Sequence, residues 1–389
     1  MLHSISMLIQ RNIAKSVEER LQNDHRVVII YGPRQSGKTT LSKMVIEHLG
    51  LRTLQVNADE GRFLDILSSA DGTKLRDFVG SNELVFIDEA QRIPEIGLNL
   101  KIMIDDERLK HVRFLVTGSS SLDLASKVRE PLTGRNWSYH LYPISINELS
   151  TTNSKFELNH MIEERLLYGS YPGIFSLTGS ERKWQYLYGL TADYLYKDIL
   201  MSVDIRNPEK IRSLLKLLAL QIGNEVSLTE LARQLELSRD AVARYLYLLE
   251  ESFVLLRVGG YGRNMRTQLA KKPKYYFFDL GVRNALIDAT QPLVSRADLG
   301  ALWENFLMIE RIKRQETLNR LARQHFWRNE TGTEIDLIEE KNGKISAYEF
   351  KWGTKIAKAP RSFREQYPEA QFKTINRENW IDFVCEEVR

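Results

Sequence analysis

The sequence predicts an α/β chain of several domains, led by a parallel sheet with helices on both faces. Three observations predict it. Short apolar runs alternate with helical stretches over the first 150 residues. The first run breaks abruptly into a glycine-rich loop, "GPRQSGKT". The chain has 389 residues, too many for one ordinary core.

Val27 to Tyr31 is a β-branched run of buried-strand type, and "TTLSKMVIEHLG" after the loop fits a helix closed by Gly50. "RTLQVNA", "ELVFIDEA" and "VRFLVTGSS" read as further strands, and this unit ends near "YPISINELS". Residues 155–222 read as helices, interrupted at Tyr171-Pro172-Gly173. Within 209–260 lie three helices, two of them opened by Ser227 and Ser238 as caps. A strand and a glycine-rich turn follow, which completes a winged helix-turn-helix pattern. The last part starts with the helix "ALWENFLMIERIKRQ". The alternating segments "QHFWRNE", "TEIDLIEE" and "KISAYEFKW" come next, then a helix near Ser362–Gln366 and the strand "QFKTIN".

Hydrophobic content of 43% and charged content of 27% are those of a globular protein. No apolar run approaches the length of a membrane span, and the first residues read as mature protein. The single cysteine, Cys385, excludes an intrachain disulfide framework or cysteine zinc site and fits a cytoplasmic setting. A net charge of +4 permits nucleic acid without demanding it.

The loop Gly32, Pro33, Arg34, Gln35, Ser36, Gly37, with Lys38, Thr39 and Thr40 opening the helix, matches G-x-x-x-x-G-K-[ST]. Such a loop wraps its amides around phosphate oxygens, so ATP with Mg2+ is the expected cofactor. Lys38 is expected to reach the β- and γ-phosphates, and the Thr39 hydroxyl to bind magnesium. Asp88 and Glu89 end an apolar strand. Asp88 is expected to hold the metal through water, and Glu89 to deprotonate the attacking water. Thr117 and Ser119, at the end of the next strand, are candidates for sensing the γ-phosphate. Arg135 is a candidate for stabilising transition-state charge, in cis or across a subunit boundary.

The motifs "YGPRQSGKTTL", "FIDEAQ", "VTGSSS", "LTGR", "YGSYPGI", "YLYKDI" and "KKPKYYFFDLGVRNAL" occur in that order. With them the chain resembles, over most of its length, a family of bacterial and archaeal AAA-type ATPases. Members join an N-terminal P-loop domain to a C-terminal domain long labelled as of unknown function. The resemblance implies ATP binding and hydrolysis, and a winged helix followed by a restriction-endonuclease-like fold. The boundaries expected are 1–150 for the ATPase domain, 151–208 for a helical linker, 209–275 for the winged helix and 276–389 for the nuclease-like domain.

Arg257 to Lys274 carries six basic residues and no acidic one. On a wing these charges could lie along phosphates, so Arg263, Arg266, Lys271 and Lys272 are expected DNA contacts. Arg239 and Arg244 join them from the third helix. In "YEFKWG", Glu349 and Lys351 share one face of a strand. Asp336 on the preceding strand and Glu304 on the helix can converge on them, the arrangement of D-x(n)-E-x-K nucleases. Glu304, Asp336 and Glu349 are then candidate metal ligands, and Lys351 positions the attacking water. Ile335 stands where many such nucleases have proline. Two functions compete: an ATPase that couples nucleotide state to DNA engagement or cleavage, or a nucleotide switch that binds protein partners. Arginine supply across a boundary would require a homo-oligomer.

Overall fold

The computed structural model describes residues 9–118, 131–202, 208–262, 268, 271–318 and 322–385, with the backbone alone at 193–202. Five strands form the first sheet: β1 (Val27–Tyr31), β2 (Thr53–Asn57), β3 (Leu84–Asp88), β4 (Arg113–Gly118) and β5 (Asn136–His140). Their order is β2-β3-β4-β1-β5, all parallel. Every residue of β1 is buried, because the strand lies between β4 and β5 with both faces covered. Its side chains alternate between two cores. Val28 and Ile30 pack with Val17 and Leu21 of the helix Ala14–Asn23 and with Leu41 and Val45 of the helix Lys38–Leu49. Val27, Ile29 and Tyr31 face Leu75 and Val79 of Gly72–Val79 and Leu100 and Met103 of Ile96–Asp105. All strand C-termini therefore open on one edge, where the loop 32–37 emerges.

The helices Lys155–Tyr168, Pro172–Phe175 and Ser180–Ser202 follow, and the first and third of them pack with Leu280–Leu286. The motif "FFDLGVRNAL" makes that junction. The Asp279 carboxylate accepts from Val282 N at 3.1 Å, capping its own helix, and from Ser170 N at 2.6 Å. Asn284 Nδ2 donates to the Leu166 and Leu167 carbonyls, both at 2.9 Å, at the end of Lys155–Tyr168. At Gly281 a Cβ would stand 2.2 Å from the Tyr168 carbonyl oxygen, so nothing larger fits.

Next come the helices Pro208–Leu220, Leu228–Leu235 and Arg239–Glu251, and the antiparallel hairpin of β6 (Leu255–Gly260) and β7 (Lys274–Phe277). A bridge pairs Glu225 with Lys274. The C-terminal part runs from the helix Leu299–Thr317 through β8 (Arg323–Arg328), β9 (Glu334–Lys341) and β10 (Lys344–Phe350) to the helix Arg361–Gln366 and β11 (Gln371–Ile375). β8, β9 and β10 are an antiparallel meander, and β11 lies parallel to β10. β6 also pairs with β8, which gives one six-stranded sheet, β11-β10-β9-β8-β6-β7. The boundary expected at 275 thus passes through β7: the hairpin belongs to the same sheet as the C-terminal strands. No helix among the described residues is long and apolar enough to cross a membrane.

Candidate functional site

The loop 32–37 is shaped by close backbone approach. A Cβ on Gly32 would lie 2.2 Å from the carbonyl oxygen of Leu141. That carbonyl cannot retreat, because Leu141 N is tied to Tyr31 O at 2.7 Å. Gly37, at φ 97°, opens the helix Lys38–Leu49 in the left-handed region that favours glycine. Gly32→Ala is therefore expected to cost about 1–3 kcal/mol in stability by overpacking. It should also abolish binding of a fluorescent ATP analogue, checked by thermal unfolding and titration.

The Lys38 ammonium is buried and donates to the carbonyls of Gly32 at 2.9 Å and Pro33 at 3.0 Å. It is thus held across the mouth of the loop. Thr39 Oγ1 donates to Asp88 Oδ2 at 2.7 Å, across 49 residues of sequence. A hydroxyl and a carboxylate meeting beside a lysine form an all-oxygen donor set that suits magnesium. The buried Ser36 hydroxyl has no hydrogen-bond partner among the described residues. The loop fits a nucleoside triphosphate with its metal.

Asp88 is fixed from the other side by the Thr117 hydroxyl, which donates to Oδ1. The same hydroxyl accepts from Glu89 N at 3.3 Å. Thr117 is fully buried, and its hydroxyl holds the acidic pair. Glu89 sits at φ 54°, an uncommon left-handed position for a residue with a Cβ. Gln91 Nε2 donates to its carboxylate at 2.5 Å. Gln91 lies in the quoted "FIDEAQ", but its function is legible only once the turn is seen.

Two further contacts escaped the sequence reading. Arg11 is buried and donates to Ser36 O at 2.7 Å, Glu148 Oε1 at 2.9 Å and Tyr142 O at 2.5 Å. It fastens the loop to the capping box of the helix Ile146–Leu149. Beside it, a largely apolar cavity of about 320 Å³ is lined by Ile9, Thr40, Met44, Ile144, Pro172 and Phe175. Its position at the start of the loop's helix suits a nucleobase. The Tyr186 hydroxyl donates to Gln35 Oε1 at 2.7 Å, so the helical region touches the loop. Pro33 is buried and Arg34 half-buried within the loop, while Thr40 is exposed at the cavity.

Arg135 is elsewhere. It directly precedes β5, whose Asn136 aligns with Val27 at the start of β1, and its guanidinium pairs with Asp105 at 3.0 Å. A five-residue strand spans about 16 Å, so Arg135 does not reach the loop of its own chain. Ser119, Arg263 and Arg266 lie outside the described residues. Arg239, Arg244 and Lys272 are exposed. Lys271 is not free for phosphates: its ammonium donates to Tyr261 O at 2.6 Å and Arg328 O at 3.1 Å, pinning the hairpin to β8.

The second constellation forms between the helix Leu299–Thr317 and β9. Oxygens of Glu304, Glu334 and Asp336 lie within 4.8 Å of one another. Phe350 N donates to Asp336 Oδ2 at 2.6 Å, and Lys351 Nζ to Glu349 Oε1 at 2.6 Å. Glu304, Asp336, Glu349 and Lys351 are thus brought together. Burial, then the nearby Glu304 and Glu349 carboxylates, push the Asp336 carboxyl well above the usual carboxylate range. That strain suits a divalent cation, which the carboxylates could share. Three partners were not foreseen: Glu334, Lys274 and Tyr276. Lys274 bonds Glu304 Oε1 at 3.0 Å and also Glu334, and the Tyr276 hydroxyl donates to Glu304 Oε1 at 2.6 Å. Lys274 counted in the sequence among the basic residues of the wing, but it points into the acidic cluster.

An AAA domain family matches residues 24–150. Two domains of unknown function, DUF8612 and DUF4143, match residues 159–293 and 299–383. Uncharacterized protein Rv2008c of Mycobacterium tuberculosis is 30% identical over 376 residues, which cover 95% of this chain and 80% of that protein. Uncharacterized protein MJ1544 of Methanocaldococcus jannaschii is 21% identical over 372 residues, covering 91% and 78%. Among solved structures, the Walker-type ATPase PABY2304 of Pyrococcus abyssi superposes with a TM-score of 0.50 at 15% identity, covering 72% of this chain and 96% of that one. The parallel sheet with its phosphate loop and this similarity along nearly the whole sequence agree, and the chain belongs to the family of Rv2008c as an AAA-type ATPase.

Proposed function

We propose that the protein hydrolyses ATP at the 32–39 loop and couples nucleotide state to DNA engagement by its C-terminal half. The observation that carries the first part is the Thr39–Asp88 hydrogen bond beside Lys38. Lys38 turns from the loop carbonyls to the phosphates, Thr39 and Asp88 hold magnesium, and Glu89 takes a proton from water. The magnesium ion supplies charge neutralisation at the phosphates. Arg135, half-buried and paired with Asp105 at the opposite strand ends, serves the nucleotide of a neighbouring copy in this reading.

Helix, bridge, two helices and hairpin is the order of a winged helix, and Arg239 and Arg244 lie exposed on its third helix. Helix, three-stranded meander, helix and parallel strand is the order of a restriction-endonuclease-like core. The hydrogen bonds of Asp336 with Phe350 N and of Lys351 with Glu349 support reading Asp336, Glu349 and Lys351 as a metal-dependent nuclease set. These support DNA as the partner and cleavage as the terminal activity. The inward positions of Lys271 and Lys274 favour a second reading, in which the same domains bind a protein partner and ATP drives the switch.

Labelled single-stranded, duplex and branched DNA, incubated with and without ATP and Mn2+ at several salt concentrations, tests these readings. DNA affinity should fall steeply with salt, and Arg244→Ala should reduce the slope by about 1. Asp336→Asn should abolish Mn2+-dependent cleavage and leave ATP turnover intact. DNA binding that is absent at low salt would leave the protein-switch reading standing.

A further inference from the structure

Lys274 has almost no contact with water: its side chain is 1% exposed. A buried ammonium is tolerated only when paired, and its partners are the carboxylates of Glu304 and Glu334. Its Nζ also lies 5.2 Å from the ring centroid of Phe326, which closes the apolar side of the site. Glu304 is the contested ligand. Its Oε1 already accepts from both Lys274 and Tyr276. Any divalent cation seated at Asp336 through Glu304 would therefore stand close to a fixed positive charge in a poorly solvated place, where repulsion is strong. The lysine comes from neither the helix Leu299–Thr317 nor the meander. It comes from β7 of the hairpin, and the bridge to Glu225 ties it to the three-helix unit.

We infer that Lys274 is the built-in counter-ion of this acidic cluster and competes with a divalent cation for Glu304 and Asp336. The inference rests on the reading of the cluster as a metal site. In the resting protein Lys274 neutralises part of the carboxylate charge and metal binds weakly. Metal enters fully only when the ammonium is withdrawn from Glu304, by rotation of the lysine side chain or by a shift of β7. The hairpin thereby controls whether the C-terminal site is loaded.

The test is titration of Mn2+ into the full-length, nucleotide-free protein, followed by calorimetry and by thermal unfolding. Lys274→Met should bind Mn2+ about tenfold or more tightly than the wild type. Its unfolding midpoint should be lower in chelator and recover on addition of Mn2+, since the metal replaces the lost cation. Because that variant leaves Glu304 and Glu334 unpaired, Lys274→Gln is the second variant; its neutral amide can still donate to one of the two carboxylates, and it should show the same gain. Adding Asp336→Asn to either should cancel the gain, which assigns the site. Equal Mn2+ affinity in the wild type and both variants would overturn the competition and leave the metal-site reading in place. Absence of Mn2+ binding to every form would overturn both.

Discussion

Glu89→Gln is expected to lower ATP turnover by about 10³-fold while nucleotide affinity stays near that of the wild type. The geometry around the residue gives the reason. Glu89 N is held by Thr117 Oγ1, and its carboxylate receives Gln91 Nε2 at 2.5 Å. Glutamine keeps the shape and the left-handed backbone and removes the carboxylate proposed to take a proton from water. Lys38→Ala should behave differently. Its ammonium is buried and held across the mouth of the loop by the Gly32 and Pro33 carbonyls, so its loss should remove affinity and turnover together. Phosphate release and equilibrium binding of a fluorescent ATP analogue, measured on the same preparations, separate the two patterns. Normal turnover in Glu89→Gln would move the proton acceptor to another residue. Normal turnover in Lys38→Ala would discard the loop assignment.

The parts legible in the sequence were those with local codes. An apolar five-residue run followed by Gly-x-x-x-x-Gly-Lys-Thr places strand, loop and helix without reference to the rest of the chain. "LVFIDEA" works the same way, since the apolar run ends where the acidic pair begins. Glu304, Asp336, Glu349 and Lys351 could be grouped because strand alternation and a short hairpin bring the last three together. Strand order has no local signature. Arg135 follows a loop in the same domain, yet parallel pairing of β5 with β1 puts it at the far ends of the strands. Side-chain direction in the basic segment was equally hidden. β7, "KYYF", is buried at every position, so no alternation marks Lys274 as inward. The motif that contains it marked a family in sequence. In space, Asp279, Gly281 and Asn284 show why it is specific: they join two helical elements by hydrogen bonds and a contact with no room for a side chain.

Arg11→Ala is expected to have the largest effect on stability, about 3–5 kcal/mol, although it lies outside every recognisable motif. Its guanidinium and the Glu148 carboxylate are both over nine-tenths buried. Removing the arginine leaves a buried carboxylate that still serves as the reciprocal member of the Ser145 capping box, where Oε2 accepts from Ser145 N at 2.8 Å. Arg11→Lys keeps the charge but not the planar fork that reaches Glu148, Ser36 O and Tyr142 O at once, so it should recover only part of the loss. Nucleotide affinity should fall too, because Ser36 O anchors the loop. A second substitution separates the two effects. Glu148→Gln in the Arg11→Ala background removes the unpaired charge, and unfolding in denaturant should show much of the stability restored. Nucleotide affinity should stay low, since the loop remains unfastened. Recovery of both would mean that Arg11 acts on the site only through the fold, and would remove it from the residues that position the phosphate loop.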